Sequence, residues 1–329
     1  MKKEDLRIVF MGTPEFAVES LKTLVENNYN VVGVITMPDK PAGRGYKLQP
    51  SPVKQYALEK GLHLLQPEKL KDEDFLNELR ELKADVQVVV AFRMLPEVVW
   101  NMPGKGTFNL HSSLLPQYRG AAPINWAIIN GEKETGVTTF FLSHEIDTGE
   151  IIFREKTEIS EDDNAETLHD RLMVMGAALV KKTVDAIIED NISAIPQDQL
   201  FTNDTILKPA PKIFTETCRI EWDKSREEIY NFIRGLSPYP AAWTELQRSE
   251  TGETLRLKVF ASEKAEESKA GKSGSFTPGT IFTDNKTFIE VAVGDGLMRI
   301  TDLQLSGKKR MKTVDFLNGY KLDESDRFL

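Results

Sequence analysis

The chain has 329 residues, 40% of them hydrophobic and 28% charged, a composition typical of a soluble globular protein with room for two domains. No apolar run approaches the roughly 20 residues of a membrane-spanning helix, and residues 1–5 lead directly into a predicted strand, so no signal peptide is expected. The single cysteine, Cys218, excludes an internal disulfide and is typical of a reducing compartment, so we expect a cytoplasmic protein.

The net charge of −9 argues at first against a nucleic-acid partner, but the charge is unevenly distributed. Residues 208–329 carry 20 Lys and Arg against 19 Asp and Glu, whereas residues 1–207 carry 22 against 32. The basic cluster Lys308, Lys309 and Arg310 is therefore either a phosphate-binding surface or a solvated turn. The four histidines and the cysteine lack the spacing of metal ligands, so we expect no metal site.

The first part of the chain alternates predicted strands and helices. Strands are expected over 6–11, 31–36 and 86–92, and helices after Pro14, near 52–60 and near 72–82. Thr13 is expected to cap the first helix, with Pro14 in its first position. This rhythm predicts an α/β fold with a doubly wound, mostly parallel, Rossmann-like sheet. Gly12-Thr13-Pro14 is not a dinucleotide-binding glycine motif, so no dinucleotide is predicted.

The next predicted strand carries side chains suited to acyl transfer. Strand 107–110 ends at His111, and Asn109 lies two residues earlier, on the same side of the strand. A hairpin predicted over 137–142 and 150–154 delivers Asp147 to the same edge of the sheet. An amide can stabilise an oxyanion, an imidazole can move a proton, and a carboxylate can orient the imidazole and favour its charged form. The alternatives are that His111 is an ordinary structural histidine or that His144 is the functional one.

The remaining chain predicts a second, smaller domain. A helix over about 164–189 completes the first domain, and residues 191–212 are rich in Pro, Asp, Asn and Gln, as a linker is. A helix near 225–234 is followed by short strand-like runs with turn signals, over 254–261, 279–283, 288–293 and 296–305. Many short strands predict a small β-barrel. The division is thus 1–190, a linker over 191–212, and 213–329.

Several segments resemble a known family. Asn109, His111, the run Ser113 to Pro116, Arg119-Gly120 and Asp147-Thr148-Gly149 are similar to the signature of folate-dependent formyltransferases. Residues 10–17, 38–45 and 50–54, together with Ile220–Trp222, Ile233–Gly235, Pro238–Trp243 and Gly294–Gly296, resemble the branch that acts on methionyl-tRNA. The resemblance implies transfer of a formyl group from 10-formyltetrahydrofolate to the α-amine of methionyl-initiator tRNA for translation initiation. It also implies that the C-terminal barrel is OB-like and binds tRNA.

The same resemblance implies roles for individual residues. It places Asn109, His111 and Asp147 at the reaction centre, and it assigns the folate site to Phe92, Arg93, Met94 and Leu95 with Ser113, Leu114, Leu115 and Pro116. It assigns tRNA contacts to Lys40, Arg44 and Lys47, in a loop that wedges into the acceptor stem. We add Lys308, Lys309 and Arg310 as expected tRNA contacts. A solvated loop is the alternative for 40–47, and a monomer without membrane association is expected.

Three rival functions stay open from sequence. The first is a formyltransferase for a sugar-nucleotide amine or glycinamide ribonucleotide. The second is a hydrolase of formyltetrahydrofolate, with water in place of the amine. The third is a non-catalytic tRNA-binding module, which the complete Asn-His-Asp set disfavours.

Overall fold

The computed structural model describes residues 1–42, 47–266, 268, 271 and 276–329. The strands are β1 Ile8–Gly12, β2 Val31–Ile35, β3 Lys40–Ala42, β4 Lys47–Gln49, β5 Leu64–Leu65, β6 Val86–Val90, β7 Thr107–His111, β8 Glu134–Phe141, β9 Ile151–Glu158, β10 Ala242–Gln247, β11 Thr254–Ala265, β12 Ile281–Thr283, β13 Ile289–Val293, β14 Gly296–Leu305, β15 Met311–Lys312 and β16 Arg327–Phe328. The α-helices are α1 Glu15–Glu26, α2 Pro52–Glu59, α3 Glu73–Glu81, α4 Glu97–Trp100, α5 Pro123–Ile129, α6 Ala165–Ile188, α7 Arg226–Leu236 and α8 Thr313–Gly319. Short 3-10 turns cover Gln197–Leu200 and Thr215–Cys218.

The chain divides into two compact units, neither of which is continuous in sequence. The first comprises Met1–Gly120, Glu134–Glu158 and His169–Ala210. The second comprises Ala121–Lys133, Ile159–Leu168 and Pro211–Leu329. Each unit contains its own sheet, so each can be described separately.

The first unit contains the predicted Rossmann-like sheet. Within the described residues its strands run in the order β5-β2-β1-β6-β7-β8-β9. The pairs from β5 to β7 are parallel, and β8 and β9 are added antiparallel. All five residues of β1 and of β6 are buried, because a central parallel strand is covered on both faces and its sequence is therefore continuously apolar. The predicted fold class of this unit is confirmed.

Local boundaries differ from prediction in two places. Helix α1 has Pro14 as its N-terminal capping residue and no side-chain capping bond, so the prediction that Thr13 caps it is wrong. The capping position falls on Pro14, whose side chain cannot accept a hydrogen bond, and Thr13 lies one residue outside it. Strand β6 ends at Val90 instead of residue 92, since Ala91 adopts a left-handed φ of 46° that cannot continue a strand.

The segment around residues 40–47, predicted as a loop, contains a two-stranded antiparallel ribbon formed by β3 and β4. Lys40 pairs with Gln49 and Ala42 with Lys47, and Pro41 is tolerated because the ribbon has two edges and no central strand. Asp39 anchors the base: its carboxylate accepts from Lys54 Nζ at 2.7 Å and from Gln66 Nε2 at 3.0 Å. These contacts therefore hold the start of the ribbon in place.

The second unit contains the predicted barrel-like sheet. Its strands run in the order β12-β13-β14-β11-β10-β16, all antiparallel, and β15 pairs with β14. A bridge between Thr280 and Arg327 joins the two ends of this series, and Phe328 N donates to Gly279 O at 2.9 Å. The sheet thus nearly closes on itself, which pairs part of its two edge strands.

The core of the second unit forms between this sheet and α7. Trp222 stacks on Phe328 with ring centroids 5.6 Å apart, and its Nε1 donates to Thr244 Oγ1. Cys218 is fully buried in the same core, and burial raises the pKa of its thiol. Asn125 of α5 donates to Gly235 O on α7 at 2.8 Å, so α5 belongs to this unit although it lies early in the chain. No helix in the described part of the chain is both long and apolar enough to cross a membrane.

Candidate active site

The carboxyl end of β7 brings Asn109 and His111 to one edge of the sheet, as predicted. Asn109 pairs with Phe140 and His111 with Thr138 across the β7–β8 ladder. The Asn109 Oδ1 atom is buried and has no hydrogen-bond partner among the described residues, while the residue as a whole is partly exposed. An unpaired amide oxygen is costly unless something satisfies it, so this side chain is a group that a bound ligand could engage.

The His111 ring is held by a backbone carbonyl. Its Nε2 lies 2.8 Å from Tyr118 O, and because a carbonyl only accepts, Nε2 must donate. The neutral ring then has its lone pair on Nδ1. The His111 side chain is only 8% exposed, and its ring packs edge-on against Phe140 at 6.5 Å. Nδ1 is therefore the ring nitrogen of His111 that the Tyr118 carbonyl leaves available.

The Asp147 carboxylate faces Nδ1 of His111. Its Oδ2 lies 3.9 Å from His111 Nδ1, and the Asp147 side chain is 13% exposed. The same oxygen accepts from Gly120 N at 2.9 Å. Asp147 adopts a left-handed φ of 55°, in the loop between β8 and β9. The structure thus brings His111 and Asp147 together, although the ring donates its hydrogen bond to Tyr118 O and not to Asp147.

Two glycines allow this loop arrangement. A Cβ on Gly149 would lie 1.6 Å from Phe141 O, which means that only glycine fits where the loop returns to β9. Gly120 has a φ of 125°, and a Cβ on it would lie 2.4 Å from Ala210 O. Both glycines belong to the motifs that carry the family resemblance, and their role here is close backbone approach.

The segment after His111, predicted to border the folate, is held in place by hydrogen bonds and by burial of its side chains. Ser113 Oγ donates to Gln117 O at 2.7 Å, and Ser113 O accepts from Thr138 Oγ1. Leu115 and Pro116 are buried, and Leu114 is partly buried. Because the side chains of Ser113, Leu115 and Pro116 face protein, a ligand at this segment would meet mainly its backbone.

The segment 92–95, also predicted to border the folate, has mixed exposure. Arg93 donates to the carbonyls of Glu68 and Pro67, and burial lowers the pKa of its guanidinium. Leu95 is buried and Phe92 partly buried, whereas Met94 is 72% exposed. The adjoining helix α4 meets the Asp147 loop through His144, whose ring lies 5.4 Å from Trp100. His144 is itself mostly exposed, unlike His111.

The predicted tRNA contacts lie in both units. Lys40 is exposed on the ribbon, Lys47 begins β4, and Arg44 lies outside the described residues. Lys308 and Lys309 are exposed. Arg310 binds both carboxylate oxygens of Asp302, at 3.0 and 2.9 Å.

Sequence reasoning missed several groups around the site. The carbonyl of Tyr118 and the N–H of Gly120 are backbone atoms, whose direction no side-chain pattern reveals. Gln197 is 3% exposed and contacts the Asp147 loop, yet it lies in a polar stretch that resembles any linker. Apart from this site, sequence reasoning also missed a stack within the second unit, where Trp243 lies under the guanidinium of Arg256 at 3.8 Å and near that of Arg219 at 5.8 Å.

Comparison with known proteins identifies the family. Residues 6–198 match the family described as formyl transferase, and residues 212–321 match the formyl transferase C-terminal domain. A methionyl-tRNA formyltransferase from Bacteroides fragilis is 63% identical over 325 residues, which cover 99% of this chain and 98% of that protein. One from Parabacteroides distasonis is 64% identical over 322 residues, 98% of each.

Among solved structures, the N-formyltransferase of Helicobacter canadensis in complex with folinic acid and dTDP-3-aminofucose matches with a TM-score of 0.63. Its sequence identity is 22%, over 90% of this chain and 98% of that one, so it shows a shared fold. The much higher identity, over nearly the full length, is to enzymes named for methionyl-tRNA. This chain therefore belongs to the formyl transferase family and, within it, to the methionyl-tRNA formyltransferases.

Proposed function

We propose that the chain transfers the formyl group of 10-formyltetrahydrofolate to the α-amino group of methionyl-initiator tRNA, for translation initiation in the cytoplasm. The observation that carries this proposal is the 63% identity to a methionyl-tRNA formyltransferase over 99% of the chain. The juxtaposition of His111 Nδ1 and Asp147 Oδ2 at 3.9 Å supports it independently. The donor and the tRNA are both substrates, and the chemistry proposed below calls for no metal ion.

The reaction proceeds by direct attack of the neutral amine on the formyl carbon. A C–N bond forms, the formyl oxygen becomes an oxyanion, and the bond from the carbon to N10 of the folate then breaks. N10 receives a proton and the amine loses one, so the reaction is balanced without an oxidant or a covalent enzyme intermediate. The protein must stabilise the oxyanion and move that proton.

The described residues divide these tasks. The NH₂ of Asn109 donates to the oxyanion, an interaction that strengthens as the negative charge develops. His111 is the proton carrier through Nδ1, because Nε2 is engaged by Tyr118 O. Once Nδ1 is protonated, the ring also donates toward the developing charge. The Asp147 carboxylate stabilises the imidazolium and helps to take the amine proton.

The folate donor is proposed to lie along two segments near this site. Phe92, Arg93, Met94 and Leu95 form one side, where the exposed Met94 offers an apolar contact to a pterin ring. The run Ser113 to Pro116 forms the other side, mainly through its backbone.

The tRNA is proposed to contact both parts of the chain, with residues 1–190 as the catalytic domain, 191–212 as the linker and 213–329 as the tRNA-binding domain. Lys40, Arg44 and Lys47 on the ribbon and Lys308, Lys309 and Arg310 in the second unit are the proposed contacts. Since Arg310 already binds the Asp302 carboxylate, Lys308 and Lys309 offer the stronger attraction to phosphate. The active form is proposed to be a monomer.

One assay tests the proposal. Purified enzyme is given 10-formyltetrahydrofolate with a labelled formyl group and, in parallel reactions, methionyl-initiator tRNA, free methionine and a dTDP-amino sugar. We expect label transfer to the charged tRNA at a rate at least about a hundredfold above the other acceptors. Preferred transfer to the amino sugar would establish the sugar-nucleotide alternative. Release of labelled formate without an acceptor would establish a hydrolase.

A further inference from the structure

Gln197 makes an unusually complete set of buried contacts in the first unit. Its Nε2 donates to Asp147 O at 2.9 Å and to Gly149 O at 2.8 Å. Its Oε1 accepts from Arg119 Nε at 3.1 Å and Arg119 Nη2 at 2.7 Å. A glutamine amide has two N–H donors and an oxygen with two lone pairs, so every hydrogen-bonding position of this side chain is occupied.

The hydrogen bonds of Gln197 hold a strained part of the Asp147 loop. Asp147 has a left-handed φ of 55°, a backbone conformation that is strained for a residue other than glycine. The conformation persists only if neighbouring groups hold it. Gln197 binds the carbonyl of Asp147 itself and the carbonyl two residues later, which fixes the backbone on both sides of the turn.

Gln197 also connects the loop to the segment that donates a hydrogen bond to the Asp147 carboxylate. Arg119, bound by Gln197 Oε1, directly precedes Gly120, whose N–H donates to Asp147 Oδ2. Arg119 O accepts from Ala210 N at 2.8 Å, and Tyr118 N donates to Lys208 O at 2.7 Å. Residues 195–210, which we call the backing segment, thus support both Asp147 and the carbonyl of Tyr118 that holds His111.

We propose that Gln197 is a positioning residue of the active site, which sets the distance between the Asp147 carboxylate and His111 Nδ1. This inference rests on the proposed function, since it assigns those two side chains to formyl transfer. Gln197 itself touches no reacting atom. Its loss should leave the substrates able to bind and the fold intact, but should let the carboxylate move away from the ring.

The test uses two substitutions and a matched control. Gln197→Met has a similar length and removes all four hydrogen bonds. Gln197→Glu keeps the acceptor for Arg119 but turns a carboxylate oxygen toward two carbonyl oxygens. Gln199, exposed in the same 3-10 turn, provides Gln199→Met and Gln199→Glu as controls with the same chemistry.

We expect both Gln197 variants to lower kcat about 10- to 100-fold, since small misplacements of a reacting group have effects of that size. The KM values for the formyl donor and for tRNA should stay within about threefold, and the Gln199 variants should match the parent. Thermal melting identifies variants that do not fold. Should Gln197→Glu fail there, Gln197→Met introduces no buried charge and keeps the test intact.

A second measurement does not depend on the acceptor. The chain has four histidines, so ¹⁵N-histidine spectra can resolve the His111 ring, assigned with a His111→Gln variant. Gln197→Met should shift the His111 Nδ1 signal and Gln199→Met should not. Unchanged kcat with an unchanged His111 signal would overturn the inference, as would raised KM values at constant kcat.

If the parent enzyme formylates another amine instead of tRNA, the proposed function fails. The inference is then judged by the same variants with that acceptor and by the His111 spectra.

Discussion

Replacing Asp147 with asparagine isolates the charge of this carboxylate from its shape. Asparagine keeps an oxygen that can accept from Gly120 N, the 2.9 Å contact that now holds the side chain. What disappears is the negative charge 3.9 Å from His111 Nδ1. The variant should therefore fold normally and still bind both substrates, but it should stabilise the imidazolium less well.

The distance sets the size of the effect. Two unit charges about 4 Å apart attract by about 4 kcal/mol at an effective dielectric constant of roughly 20. Since about 1.4 kcal/mol corresponds to a tenfold change in rate, the ceiling is about a thousandfold. Both side chains retain slight exposure, which screens part of this attraction. We therefore expect Asp147→Asn to slow formyl transfer by about 100- to 1000-fold.

The assay is single-turnover transfer with enzyme in excess over labelled donor, combined with equilibrium binding of the donor. Asp190→Asn is the matched control, because Asp190 has a left-handed φ of 54° like Asp147 but is 93% exposed and has no proposed role in the reaction. It should keep the parent rate. A donor dissociation constant raised tenfold or more, with a single-turnover rate near that of the parent, would refute the electrostatic reasoning and reassign Asp147 to binding.

Four further outcomes are expected. Asn109→Ala should lower the single-turnover rate by about a hundredfold or more with an unchanged melting temperature, and a loss of less than threefold would contradict the oxyanion role. Arg44→Ala should weaken productive use of tRNA while sparing donor binding. Changing Lys40, Arg44 and Lys47 all to alanine should flatten the salt dependence of tRNA binding, whereas equal slopes and equal transfer rates would rule out these contacts. Burial alone would raise the pKa of Asp302, but hydrogen bonds from two basic side chains outweigh it and lower the pKa below 3.8. The stability that Asp302 contributes is thus present above that value and lost as the pH falls further, so Asp302→Asn should flatten the fall of urea midpoints below about pH 4.

The sheet of the first unit could be predicted from sequence because buried parallel strands such as β1 and β6 are continuous apolar runs. Asn109 and His111 could also be placed together. They are two residues apart at the end of a strand, so their side chains point to the same side at one edge of the sheet. The barrel-like second unit was also predictable from its short strands and turn signals.

Other features depend on contacts between residues far apart in sequence. Helix α8 and the ribbon of β3 and β4 are too short for a periodic pattern to reveal them. The hydrogen bond from His111 to Tyr118 O depends on the left-handed φ of 60° at Tyr118, which is rare for an aromatic residue. Gln197 reaches Asp147 across 50 positions, and nothing in its polar neighbours distinguishes it from a solvated side chain.

The burial of Cys218 has a practical consequence for spectroscopy. It is the single thiol of the chain, it is fully buried, and burial raises its pKa, so little reactive thiolate is present and reagents cannot reach it. We therefore expect the native sequence to serve as a background without a reactive thiol for maleimide chemistry. A cysteine introduced on the ribbon, for example at Leu48, which is 66% exposed, would accept a fluorophore selectively. Motion of the ribbon during a catalytic cycle could then be followed by fluorescence without first engineering the rest of the protein.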